Sequence, residues 1–438
     1  MMSNYLLVEG ESYLALYLTK QRKIFKVPRH LREEIESLCA YNSEERQSGS
    51  TAVKPVLEAL EENERPLARP ARQGFLRRVS LNVTNACNMA CSYCYANEGE
   101  YGSPRGLMTE DVARLSIETF FTHYDTIEAV QFFGGEPLMN PQAILAACQT
   151  LEDLVGRGAV AEMPLLGLVT NGTVLNKRVE QLIRTYKPSV TVSFDGPPPV
   201  NDAVRVMKNE RGVGARIIEN AHRMAELIGH PVGIEATWSA AQERAGMTVH
   251  DLVQYLRRTF ETPAVHVAPV SLPEGHPYRP HGLTCFADSV PKFAEDLQAG
   301  DGASFSKFRS SMRAFAQGLG SDVFCDAGLG VLAVSGNGDV YPCFMFIDQD
   351  DFKMGNVQDS DLFTSARFQA VTARFAAAGK KHSEQCGECP LRPVCSGCLG
   401  ANLFETGSPF RVAEETCRMN FKFNEAILLA VAGMGGHV

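Results

Sequence analysis

The chain lacks any apolar run near the roughly 18 residues that a membrane-spanning helix needs. Its longest apolar stretch is Ala426 to Met434. An uninterrupted signal-peptide core is missing too, because Glu9 and Glu11 break up Met1 to Lys20. Excess positive charge is absent: 42 Lys+Arg stand against 51 Asp+Glu, a formal charge of -9, which gives no field to attract a phosphate backbone. These absences predict a cytoplasmic protein that engages neither a membrane nor nucleic acid. The low hydrophobicity of disordered chains is also missing, since 45% hydrophobic and 21% charged residues are ordinary for a globular protein. Its 438 residues have room for about two to four domains.

Cysteine is what the chain has to spare. Thirteen is an odd count, and without an export signal a disulfide scaffold has no use, so metal or redox chemistry becomes the default. Three cysteines lie in Cys87-Asn88-Met89-Ala90-Cys91-Ser92-Tyr93-Cys94, and seven between Cys325 and Cys417. Cys39, Cys148 and Cys285 stand alone and read as small buried hydrophobes.

Tyr5 to Val27 reads as two or three short strands, and His30–Cys39 and Ala52–Glu62 as helices. Asn63 to Gln73, with Pro66 and Pro70, reads as a linker, which makes 1–73 a small separate unit. From Phe75, short β-rich runs alternate with helical patterns. The expected strands are Arg77–Val83, Ala129–Phe133, Leu165–Thr170, Ser189–Phe194, Gly233–Trp238 and Ala264–Pro269. The helices between them are Thr109–Tyr124, Pro141–Arg157, Lys177–Tyr186, Ala215–Ile228 and Thr248–Phe260. Repeated β-α units imply an α/β fold with a parallel sheet, open or closed, whose ligand site lies at the carboxyl ends of the strands. Past about residue 300 the alternation stops. Cys325 to Thr416 is rich in glycine and cysteine, the profile of a small domain whose core is partly replaced by metal clusters.

Cys87-x3-Cys91-x2-Cys94 follows the first expected barrel strand. Three thiolates on a short loop can hold three corners of a cubane iron–sulfur cluster and leave the fourth iron open. A zinc knuckle with a distant fourth ligand is the competing reading. Gly134-Gly135-Glu136-Pro137 ends the second strand, where glycines admit a ligand to the backbone and Glu136 can accept a hydrogen bond from an ammonium group. Thr170-Asn171-Gly172 and Ser193-Phe194-Asp195-Gly196 end the third and fourth strands, so several polar strand ends converge beside the cysteine loop.

On these motifs, Arg77 to Cys417 resembles the radical S-adenosylmethionine (SAM) superfamily. The resemblance implies a partial (β/α)6 barrel, similar to a TIM barrel, over 74–300, with the small N-terminal α+β unit before it. Cys87, Cys91 and Cys94 would hold a 4Fe–4S cluster whose open iron SAM chelates. It further implies that Tyr93 lies against the adenine and that Gly134, Gly135, Glu136 and Pro137 meet the methionine amino group. Ser193 and Arg205 would hold the carboxylate, and Asn171 and Asp195 the nucleoside. Cys325, Cys343, Cys386, Cys389, Cys395, Cys398 and Cys417 are similar to the ligands of a SPASM auxiliary-cluster domain, here 301–438, with a rubredoxin or double-zinc module as the competing reading.

By that resemblance Cys386, Cys389, Cys395 and Cys417 complete one auxiliary cluster. Cys325, Cys343 and Cys398 hold the other with three thiolates, for a total of three 4Fe–4S clusters. Either Cys285 fills the vacant corner or the iron stays open to a substrate thiolate. Phe344 stands where anaerobic sulfatase maturases carry a proton-accepting aspartate, which argues against formylglycine formation. The segments Tyr93-Cys94-Tyr95-Ala96 and Glu235-Ala236-Thr237-Trp238 resemble thioether-forming maturases of ribosomally made peptides. The implied partners are a precursor peptide with a leader and a reductant such as flavodoxin or ferredoxin, and the implied product is a cysteine thioether. C–C crosslinking, epimerisation and formylglycine formation are the enzymatic alternatives, and a zinc-rich scaffold is the non-enzymatic one. The sequence assigns no catalytic acid or base. The N-terminal unit reads equally as a leader-peptide platform, through strand addition, or as a plain cap on the barrel.

Overall fold

The computed structural model describes residues 4–40, 50–68, 74–102, 104–209 and 211–435. The N-terminal unit is an antiparallel sheet of β1 (Tyr5–Glu9), β2 (Leu14–Leu18) and β3 (Lys23–Val27), in that order, followed by the helices Arg32–Ala40 and Lys54–Glu61. Side chains alternate across a strand, so β2 divides its residues between two interiors. Leu14, Leu16 and Leu18 face a small core closed by Ile35, Leu38, Val53 and Val56. Ala15 and Tyr17 face the main core, where the Tyr17 ring meets Phe315 edge-on at 5.2 Å. The unit expected to be separate thus has a core of its own but is also packed against the rest of the molecule. Residues 69–73 of the expected linker lie outside the described residues.

The barrel strands run parallel in chain order. They are β4 (Phe75–Asn82), β5 (Thr126–Phe133), β6 (Leu165–Thr170), β7 (Ser189–Ser193), β8 (Gly233–Trp238) and β9 (Val265–Pro269). The five expected helices lie between them, each within a residue or two of its expected bounds. The helix ends follow their local chemistry: the hydroxyl of Thr109 accepts from the Val112 N–H at 3.2 Å, and Asn176 caps Lys177–Tyr186 by accepting from Arg178 and Val179. The sheet is open at β9.

At the other edge it continues into the C-terminal domain. There β10 (Val331–Val334) pairs parallel with β4, and β11 (Asp339–Tyr341) and β12 (Gly355–Asn356) extend the sheet antiparallel. This extension was not expected, because strands of four, three and two residues are too short to carry a periodic signal. The helices Val290–Gln298 and Ser306–Gln317 and the long helix Glu414–Gly433 were also not anticipated. The last of these packs against β1, β2 and β3 as well as the two helices before it. Among the described residues no helix is long and apolar enough to cross a membrane.

Arg22 fastens the N-terminal sheet to its neighbours. Its backbone is left-handed, with φ 49°, and its guanidinium donates to the carbonyls of Gly318, Arg65 and Pro66 at 2.8, 3.0 and 2.9 Å. Arg22→Ala orphans three carbonyls served by one buried cation and should cost on the order of 3 kcal/mol. Denaturant titration checks the loss, and limited proteolysis should show faster cleavage between residues 50 and 74.

Candidate active site

The carboxyl ends of β4, β5 and β6 are held together by the chain that follows them. After β4 the backbone turns into the loop carrying Cys87, Cys91 and Cys94. Gly135 N donates to Thr84 O, and Glu136 N to Ala86 O, both at 2.9 Å. This approach leaves no room for side chains: a Cβ on Gly135 would stand 2.2 Å from Ala86 O, and one on Gly134, whose φ is +146°, 2.6 Å from Thr84 O. Glycine is required at both positions. Across the mouth, Ala90 N and Ser92 N donate to Val206 O and Val204 O at 2.9 Å, so the loop is clamped on two sides.

Glu136 is fully buried, and its carboxylate accepts from Thr170 Oγ1 at 2.7 Å, Asn171 N at 2.7 Å and Leu138 N at 3.0 Å. The expected acceptor for an ammonium group is therefore already engaged within the chain, and Glu136 acts as the tie between β5 and β6. Pro137 is buried at the start of a single 3-10 turn, Pro137–Met139. Asn171 is likewise committed: its Nδ2 donates to Asn88 Oδ1 at 2.9 Å and reaches Cys87 Sγ at 3.7 Å, while its Oδ1 accepts from both donors of Thr173. Asn88 Nδ2 donates in turn to Thr173 Oγ1 at 2.8 Å. Asn88 and Thr173 were not singled out from the sequence, and their only signal there is adjacency to Cys87 and Asn171.

Tyr93 links the loop to β7. Its hydroxyl donates to Asp195 Oδ2 and accepts from an Arg205 guanidinium nitrogen at 2.7 Å. The other carboxylate oxygen of Asp195 accepts from Thr237 N at 2.9 Å, so fully buried Asp195 has two donors from this chain. Burial pushes its carboxyl up, with Arg205 opposing. Arg205, 7% exposed, keeps a buried Nε with no hydrogen-bond partner among the described residues. Ser193 is half-buried at the end of β7. Burial also pushes the Cys91 thiol up to about 12, again against the pull of Arg205, and the Cys91 thiol feels those of Cys94 and Cys87. Three thiols in mutual reach, beside a guanidinium with an unspent donor, fit an anionic metal cluster bearing a carboxylate ligand.

The remaining ligand candidates gather in two groups. The Cys343 thiol feels Cys398 and Cys325, and Cys398 feels Cys325. Cys398 caps the helix Leu399–Thr406, its Sγ accepting from Ala401 N at 3.4 Å, where the helix dipole favours a thiolate. In the second group Cys389 feels Cys386 and Cys417, and Cys395 feels Cys389 and Cys386. Burial pushes the Cys285 thiol up, and Glu243 and Asp288 add to the effect. Cys39 and Cys148 are buried in the two cores. Among the described residues no three His, Cys, Asp or Glu side chains lie close enough for one metal ion.

Between the loop and the first of these groups runs an aromatic wall. Tyr95, 37% exposed, meets Tyr101 at 5.9 Å and Phe404, 40% exposed, at 5.7 Å. The Tyr95 hydroxyl feels both Cys94 and Cys343. Phe344 stacks on Phe133 with centroids 4.3 Å apart.

A parallel half-barrel with a three-thiol loop at the carboxyl ends of its strands and two further thiol groups beyond defines an iron–sulfur enzyme. Residues 81–237 match the family model of the radical SAM superfamily, and residues 325–390 match that of SPASM, an iron–sulfur cluster-binding domain. The chain is a radical SAM enzyme with a C-terminal SPASM domain, and these domains bring SAM and iron–sulfur clusters as cofactors. It is 22% identical over 372 residues to the antilisterial bacteriocin subtilosin biosynthesis protein AlbA of Bacillus subtilis, covering 80% of this chain and 72% of that protein. Its fold is similar to that of native anSMEcpe with bound AdoMet, at a TM-score of 0.66 and 19% identity, covering 82% of this chain and 99% of that one. It is also similar to SuiB of Streptococcus suis bound to precursor peptide SuiA, at a TM-score of 0.56 and 13% identity, covering 95% and 99%.

Gly135→Ala should displace Ala86 and Cys87 and so lose both SAM binding and the iron held by the loop, while far-UV circular dichroism stays unchanged. Iron assay and equilibrium dialysis of SAM measure the two losses. Cys91 and Cys395, with thiols pushed up by burial to about 12 and about 11, hold their protons at neutral pH. Cluster loading must expel those protons, so affinity for iron falls as pH falls. Potentiometry during anaerobic reconstitution should record the release.

Proposed function

We propose that the chain is a peptide maturase that joins a cysteine sulfur of a precursor peptide to a carbon of a nearby acceptor residue. The product loses two hydrogen atoms in forming the thioether. When bound, the reduced 4Fe–4S cluster and SAM supply a 5′-deoxyadenosyl radical able to take hydrogen from a C–H bond, as potentials reaching about -700 mV permit. The roles of the chain's own residues follow from their placement. Cys87, Cys91 and Cys94 hold the cluster, and Gly134 to Pro137 offer backbone to the methionine end of SAM. Arg205, with its unspent Nε, and Ser193 take the carboxylate, while Tyr93, Asn171 and Asp195 shape the nucleoside side.

The observation that carries the reading is the set of three thiols, Cys325, Cys343 and Cys398, that act on one another. A fourth corner left open suits a substrate thiolate. The wall of Tyr95, Phe404, Phe344 and Phe133 beside it suits an acceptor side chain shielded from water. Phe344 supplies no base, which disfavours formylglycine formation.

Cys386, Cys389, Cys395 and Cys417 would hold a third cluster, which would supply a route for electrons to and from a partner such as flavodoxin or ferredoxin. The domain limits 1–73, 74–300 and 301–438 accompany this reading. In the first of these units, edge strand β1 pairs with β2 alone among the described residues, and its other side would suit a leader peptide.

Anaerobic assay with a cysteine-containing precursor peptide tests the proposal. Cys91→Ala should abolish SAM cleavage. Cys343→Ala should retain some cleavage but stop peptide modification. In mass spectrometry of the peptide, an unchanged mass after turnover points to epimerisation, retention of an alkylatable cysteine thiol in a product lighter by two hydrogens overturns the thioether, and full modification by Cys343→Ala overturns the role given to the three-thiol group.

A further inference from the structure

Two lysine side chains reach the neighbourhood of Cys386, Cys389, Cys395 and Cys417. Lys380 is 1% exposed, and its Nζ donates to the carbonyl of Cys395 at 2.8 Å. Lys307 arrives from the helix Ser306–Gln317. Its Nζ donates to Asn420 Oδ1 at 2.7 Å and lies 5.5 Å from the centre of the Phe423 ring. Both ammonium groups act on the Cys395 thiol. Among the described residues neither has a carboxylate at ion-pair distance. The nearest acid acting on Lys380 is Asp322, which is shared with Arg392 at 3.5 Å. Glu414 faces the same group from the side of Cys417.

Burying an ammonium group without a counter-ion is costly, and neutral thiols supply none. Four thiolates around an iron–sulfur core carry net negative charge, and adding an electron increases it. A fixed positive charge close by favours the state with the extra electron and so raises the reduction potential.

We propose that Lys307 and Lys380 are the resident counter-ions of the cluster held by Cys386, Cys389, Cys395 and Cys417, and that they hold its reduction potential up through Cys395. This rests on the reading that these four cysteines carry a cluster. The lysines are positioning residues, since neither touches substrate or the reacting atoms.

Redox titration of the reconstituted full-length chain, followed by electron paramagnetic resonance, tests the idea. Lys380→Gln keeps a donor for the Cys395 carbonyl and removes the charge, and Lys307→Met removes the charge at the other position. Each should lower the midpoint of the outer cluster, with a larger fall in the double variant, while the signals of the other clusters stay put. Thermal unfolding gives a second readout independent of turnover. The same variants should raise the melting temperature of the metal-free chain, by removing an uncompensated charge, and lose that advantage once the clusters are loaded. An unmoved midpoint in Lys380→Gln, or equal stabilisation with and without metal, overturns the proposal. Iron content of Cys389→Ala is the separate check on its foundation: a variant holding as much iron as the parent overturns the cluster reading itself.

Discussion

The site depends on two backbones meeting at a distance no side chain could survive. Thr84 runs directly against Gly134, and Ala86 and Cys87 against Gly135, and the amides of Gly135 and Glu136 tie Thr84 and Ala86 there. Through that seam the direction of β4 and β5 becomes the direction of the cysteine loop. The buried carboxylate of Glu136 then draws in the end of β6, and Asn171 passes the restraint back to Asn88. Three strand ends and one loop thus form a rigid frame before any metal is bound. Rigidity has chemical value here, since a site at the strand ends must hold what it binds in one geometry.

The C-terminal domain is joined to this frame by main-chain hydrogen bonds, because β10 lies directly beside β4. The strand that leads into Cys87 and the strand that follows Cys325 therefore share a register. Phe404 leans over Tyr95 from the C-terminal side and closes an aromatic wall between two thiol groups. Separation of these groups is thus set by sheet geometry, and the Tyr95 ring lies within the influence of a thiol from each.

Much of the barrel was legible because β-α alternation leaves two periods that a sequence can display, and the expected strands and helices coincide closely with the observed ones. The cysteine loop was legible for a different reason: thiol spacing on a short loop is a local property. What escaped the sequence was non-local. The use of Glu136 and Asn171 as internal ties depends on which strand ends become neighbours, and their motifs read equally as ligand contacts. The strands β10 to β12 are too short for a pattern, and the helix Glu414–Gly433 begins within the cysteine-rich segment, where metal candidates mask helical periodicity.

That last helix has a mechanical consequence. It carries Cys417 in its first turn and runs 20 residues, about 30 Å, to the N-terminal sheet, where the Tyr13 hydroxyl donates to the carbonyl of Leu429 at 2.8 Å. One end thus lies in the cysteine-rich segment, and the other is the floor beneath β1, β2 and β3. A shift of its first turn is therefore carried along a single rod to the sheet at its far end.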